Sequence, residues 1–186
     1  MRRELHGMTI CGAGMPLSYF SLFGLEARYA LPPDELDLAY RRLASRVHPD
    51  RFAGGTTAER YQALELATRA NEAYRTLKTP VLRARHLLGL RGMEIDHAGA
   101  TMPAAFLAAQ IEWREALGDA RAARDEAALR RLGASVREHA GTLSARLGAQ
   151  LDSDADDAGA VQSVLQLMFI DKLVAAIDDA RDELEA

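Results

Sequence analysis

The residues best placed to do chemistry in this sequence are His48 and Asp50, set on either side of Pro49 and followed by Arg51 and Phe52. A histidine beside a carboxylate is raw material for acid–base catalysis. The intervening proline works against that use, because it prevents a relay between the two as near neighbours. No nucleophile, oxyanion loop or cofactor signature lies close by. The alternative is recognition: two polar side chains forced out of a helix onto a loop, each able to make a directed hydrogen bond to a partner. Arg41, Arg42 and Arg46 precede the tripeptide on a helix with a basic side. No residue is assigned a catalytic role.

Other chemistries find little support. The five histidines, His6, His48, His86, His97 and His139, form no His-x₃-His or His-Glu-x-x-His pair, and Cys11 is the single cysteine. No metal site, no cofactor and no internal disulfide is expected. Gly12-Ala13-Gly14 lacks the third glycine and the Lys-Ser ending of a phosphate loop. A nucleic-acid module built on the three arginines meets an adverse charge, because the whole chain is −4.

The elements that must position His48 and Asp50 are helices. Pro33, Asp34 and Glu35 open one, with acidic groups at its positive end. Leu36, Tyr40, Leu43 and Val47 follow at spacings of four, three and four, which is one helical face. Pro49 stops it. A loop with Gly54-Gly55 follows. Thr56 or Thr57 can cap the next helix, and Thr56 with Glu59 fits a capping box. That helix runs to about Thr79, with Tyr61, Leu64, Ala67, Ala70, Ala73, Tyr74 and Leu77 as inward candidates. Short helices are expected before this pair, over 16–23 with Gly24 closing it, and after it, over about 81–88.

Three longer helical stretches are expected at about 103–120, 123–149 and 156–184. In the first, Phe106, Gln110, Trp113 and Leu117 share a stripe. Gly133, Gly141 and Gly148 divide the second into shorter phases. Leu151-Asp152-Ser153-Asp154 supplies a turn and a cap. Val161, Leu165, Met168, Leu173 and Ile177 mark the inner side of the third.

Composition agrees with an all-α chain. Of 186 residues 48% are apolar, only 6% aromatic, and alanine occurs 35 times. Arginine dominates the bases, with Lys78 and Lys172 the only lysines. Residues 15–89 carry 11 basic and 8 acidic groups, whereas residues 103–186 carry 9 and 16. That split suggests two modules with different partners. The boundaries are a disordered extension over 1–14, a first module over 15–89, a linker over 90–102 and a second module over 103–186. Met8 and Met15 are alternative starts to Met1. No secretory signal is evident and no continuous apolar run is long enough to cross a bilayer, so a cytoplasmic location is expected.

Several spaced motifs in order give the first module an identity. Tyr19-Phe20, Leu22-Phe23-Gly24-Leu25, Tyr40-Arg41-Arg42-Leu43, His48-Pro49-Asp50-Arg51-Phe52 and Asn71-Glu72-Ala73-Tyr74-Arg75-Thr76-Leu77 together resemble a J domain. Such domains engage DnaK-class ATPase chaperones. The resemblance implies that His48, Pro49 and Asp50 contact the chaperone and that Arg41, Arg42 and Arg46 steer the encounter. The arginines also suit a merely solvated helix face.

Further along come Pro80-Val81-Leu82-Arg83-Ala84-Arg85-His86-Leu87-Leu88, Phe106-Leu107, Glu112-Trp113-Arg114-Glu115 and Phe169-Ile170-Asp171-Lys172-Leu173. With these the chain is similar to the HscB family over about residues 16–180. That resemblance implies an all-α protein, a J domain followed by a C-terminal three-helix bundle. It would stimulate an HscA-type chaperone and bring it an IscU-type iron–sulfur scaffold protein. A J-domain co-chaperone with a different client is the alternative. Client-binding residues carried over are Leu107, Ile111, Glu112, Glu115, Asp119 and Phe169. Their spacing permits an apolar strip rimmed by carboxylates on one helical flank. Leu107, Ile111 and Phe169 also suit a bundle core, and the three acids a solvated face. Trp113 stands where the family commonly has a smaller aliphatic residue, and Ala109 where an acid is frequent.

Overall fold

The computed structural model describes residues 18–52, 54–95 and 102–185. They form α1 (Tyr19–Phe23), α2 (Pro33–Val47), a 3₁₀ turn (Pro49–Phe52), α3 (Thr57–Lys78), α4 (Pro80–Leu90), α5 (Ala104–Ala122), α6 (Glu126–Asp152) and α7 (Asp157–Glu185). There is no strand among the described residues. The expected extension over 1–14, the alternative starts and the middle of the expected linker, 96–101, lie outside them.

Local sequence explains where these helices begin and end. Ser18 caps α1 by accepting the Ser21 amide, and Gly24 closes it at φ 68°, a conformation that favours glycine. Pro33 opens α2. At the start of α3, Thr56 Oγ1 accepts the Glu59 amide while Glu59 accepts the Thr56 amide at 2.7 Å, a reciprocal cap. Leu43, Val47 and Ala70 form a small core between α2 and α3, where alanine lets the two backbones approach.

One expectation for α3 fails. Tyr61 and Leu64 are 68% and 59% exposed, and Ala63 is buried in their stead. The buried stripe runs through Ala63, Ala70, Ala73 and Leu77, one helical step away from Tyr61 and Leu64.

The second half is built around the α6–α7 pair, with α5 alongside and α4 lying against α7. Helix α6 is continuous, so the three glycines do not break it. Neighbouring packing surrounds two of them: Gly133 is buried, and a Cβ on Gly148 would lie 3.4 Å from the Tyr29 ring, whereas Gly141 is exposed. The cap of α7 is also different from the expected one. Asp156 Oδ1 accepts the Gly159 amide, while Asp152 still belongs to α6. Although no continuous apolar run spans a membrane, α7 as a helix has an 18-residue window of mean hydropathy 1.5. Half of that window is buried within the protein, where α7 supplies much of the core.

A single apolar core joins the two halves. Phe20, Tyr29, Leu31, Leu36, Leu77 and the buried face of α4 are contiguous with Phe106, Leu147, Leu151, Val164 and Ile177. Arg91 fastens the same seam, pairing with Asp157 and donating to the Leu151 carbonyl. Within the first half, Arg83 of α4 donates to the Tyr29 carbonyl at 2.7 Å and to the Leu77 carbonyl at 2.6 Å.

Candidate functional site

His48 leaves the helical conformation at ψ 133°, so α2 ends at Val47 and the chain turns sharply through 49–52. That exit follows from the proline, which disfavours helical geometry in the residue before it. The His48 and Asp50 side chains are 60% and 89% exposed. His48 Nδ1 accepts the Asp50 amide at 3.4 Å and stands 3.5 Å from Asp50 Oδ2. Both contacts are long, so neither side chain is committed to the other, and both face solvent. Arg51 donates to the Ser45 carbonyl and ties the turn back to α2.

What positions this tip is an aromatic clamp between α2 and α3. The Tyr40 and Tyr74 rings stack at 4.3 Å. Tyr40 donates to Asn71 Oδ1 and Tyr74 to Asp37 Oδ1, each at 2.8 Å, and Lys78 donates to the Tyr74 hydroxyl. These pairings, i against j in reverse order, make the helices antiparallel. Asn71 and Tyr74 belong to a motif visible in the sequence, but sequence reasoning alone gives them no clamping role. A signal for it exists: Asp37, Tyr40, Asn71, Tyr74 and Lys78 recur at three- and four-residue steps on both helices.

Arg41, Arg42 and Arg46 are exposed along α2, leading towards the tip. Among the described residues Arg41 donates only to the Asp37 carbonyl of its own helix. Arg46 and Val47 border a small apolar recess with Phe52, Ala63 and Leu66 just behind the turn.

The other predicted set lies on α5 and α7. Leu107 and Ile111 are 46% and 59% exposed, so neither is core. Glu112, Glu115 and Asp119 are exposed beside them on the same flank. Phe169 is half-buried, its ring edge-on to Phe106 at 5.8 Å. The Arg114 guanidinium lies 5.0 Å over the Phe169 ring. Arg114 thus joins the α7 aromatic to the α5 strip, since it follows Ile111 by three residues and Leu107 by seven. That spacing is legible in the sequence, although it does not reveal the aromatic partner on α7. Trp113 points the other way, against Phe106 and His139 at the edge of the core.

Residues 102–178 match the family model described as the HSCB C-terminal oligomerisation domain. A co-chaperone protein HscB homolog from Burkholderia multivorans is 47% identical over 169 residues, covering 90% of this chain and 96% of the relative. The solved structure of chaperone HscB from Vibrio cholerae is 35% identical with a TM-score of 0.80, covering 90% and 99% of the two chains. Human co-chaperone protein HscB, 24% identical, shares the fold at a TM-score of 0.83 over 96% and 91%. Identity at this level over nearly the whole length, joined to an all-α J domain followed by a C-terminal helical domain, places the chain in the HscB family of co-chaperones.

Proposed function

We propose that this chain stimulates ATP hydrolysis by a DnaK/HscA-type chaperone and delivers an IscU-type iron–sulfur scaffold protein to it. In this reading His48, Pro49 and Asp50 engage the ATPase, with Arg41, Arg42 and Arg46 drawing an acidic surface onto α2. Leu107, Ile111 and Phe169 bury against the scaffold, while Glu112, Glu115 and Asp119 rim that contact. The chain makes and breaks no covalent bond. It works in the cytoplasm by holding client and chaperone together, which raises the effective concentration of one near the other.

The observation that supports the reading best is the pair of exposed surfaces on a chain whose two halves share an apolar core. The first is polar and basic, at the end of a clamped hairpin. The second is apolar with an acidic border. Exposed Leu and Ile on a helix that buries Phe106 and Leu117 opposite them cost little to the fold and suit a protein partner.

Sedimentation of the chain with an HscA-type chaperone and an IscU-type scaffold is the direct test. A ternary complex is expected. Ile111→Ala should release the scaffold from it, and Asp50→Asn should release the chaperone. Failure of the scaffold to bind at all would leave only a J-domain co-chaperone with another client.

A further inference from the structure

Opposite charges stand on the two sides of the exposed apolar strip of α5. At about 100° per residue, Ile111 lies about 40° to one side of Leu107, and Glu115, Asp119 and Glu112 follow at about 80°, 120° and 140°. Arg114 falls about 20° to the other side of Leu107. That side faces α7, since the Arg114 guanidinium lies 5.0 Å over the Phe169 ring. Helical spacing keeps it from the three acids: the positions three and four residues away hold Gln110, Ile111, Leu117 and Gly118. Arg114 is exposed and has no ion pair or hydrogen bond among the described residues. The cation–π contact with Phe169 holds the group in place and leaves its N–H donors unused.

A partner that buries Leu107, Ile111 and Phe169 covers this guanidinium as well. Taking a charge out of water without a counter-charge is costly. We propose that Arg114 binds an acidic side chain of the scaffold protein and so determines which way round the client docks. The inference rests on the client reading above and adds a specificity-determining residue to it. The planar donor fork of arginine matches two carboxylate oxygens. The client face then carries a carboxylate opposite Arg114 and basic groups opposite Glu115 and Asp119, with an apolar ridge between them. A client rotated by half a turn would set like charges together on both sides of the strip.

Calorimetric titration of an IscU-type scaffold into the full chain tests this. Arg114→Met keeps an apolar stem over Phe169 and removes the charge, and circular dichroism checks that it is folded. It should weaken binding about tenfold or more, with Arg114→Lys losing less and Arg114→Glu losing more. Changing the exposed acids of the scaffold to lysine one at a time should find one variant that restores binding to Arg114→Glu and weakens binding to wild type. Equal binding by Arg114→Met and wild type, tighter binding by Arg114→Glu, or no restoring lysine overturns the proposal. Weaker binding by Ile111→Ala beside unchanged binding by Arg114→Met would keep the client reading and sink this inference alone. No binding by wild type would sink both.

Discussion

Asp152, on the last turn of α6, accepts the backbone amides of Tyr29 and Ala30 on its two carboxylate oxygens, each at 2.7 Å. Those amides lie in the loop that leads into α2, so one carboxylate at the end of the bundle fixes the entry to the helix carrying the basic face. Asp152→Ala removes both acceptors and leaves the Tyr29 amide partly buried. Charge-assisted hydrogen bonds of this kind contribute about 1.5–3 kcal/mol when well buried, and partial exposure brings the expected loss to about 1–2 kcal/mol. Urea denaturation should show it, with Asp152→Asn losing less. Unchanged stability in Asp152→Ala would mean that the loop is held by the apolar seam alone.

His86 gives the protein a pH dependence. Its Nε2 accepts the Tyr19 amide at 3.0 Å, and the two rings stack at 4.4 Å. An accepting Nε2 requires neutral imidazole, and burial holds the His86 pKa below its ordinary value. The unfolded chain therefore binds a proton that the folded chain resists. Its contribution is fully present above the usual histidine pKa of about 6.5 and is lost as pH falls towards the lowered folded value. Urea midpoints should drop on acidification through that window. His86→Gln, which keeps an acceptor but does not titrate, should flatten the slope; an identical slope would assign the dependence to other groups.

Glycines in the bundle separate by their surroundings. Nothing lies within 4 Å of a Cβ added at Gly141, which is exposed in α6, so Gly141→Ala is expected to stabilise by about 0.5–1 kcal/mol. At Gly159 the added Cβ would collide with the Asp156 carboxylate that caps α7 and with the Gln150 amide. Gly159→Ala should lower the thermal midpoint while Gly141→Ala raises it.

Leu107, Ile111 and Phe106 lie within six residues of one another and should behave differently. Leu107→Ala and Ile111→Ala should change stability by under about 0.5 kcal/mol, as surface changes do, while weakening scaffold binding by about 1–3 kcal/mol. Phe106 is 4% exposed and packs against Trp113, His139 and Phe169, so Phe106→Ala should cost about 3–5 kcal/mol of stability. Calorimetry with the scaffold and thermal unfolding distinguish the two effects. A loss of stability in Ile111→Ala comparable to that in Phe106→Ala would contradict the surface assignment.

Much of this is legible in the sequence because it is local. Helix starts at Pro33 and Thr56, the stop at Pro49 and the Gly24 closure are written in single residues and their near neighbours. Tertiary facts are harder to see. Asp152 reads as part of a turn because its partners, Tyr29 and Ala30, lie more than 120 residues away in sequence. Gly148, which looks like a break in α6, is a contact point, since only the fold brings the Tyr29 ring over it. Tyr61 and Leu64 read as inward because periodicity defines a stripe but not how far the partner helix wraps around it. For the surfaces, spacing alone does not separate exposure of Leu107 and Ile111 from burial, because both faces of α5 carry apolar residues.

The chain is proposed to couple a client to an ATPase through the His48–Asp50 turn. Steady-state ATP hydrolysis by an HscA-type chaperone, with and without an IscU-type scaffold, tests it most directly. The expected result is several-fold stimulation by this chain, larger with scaffold present and abolished by His48→Gln. No stimulation by folded wild-type chain, or equal stimulation by the His48→Gln variant, would contradict it.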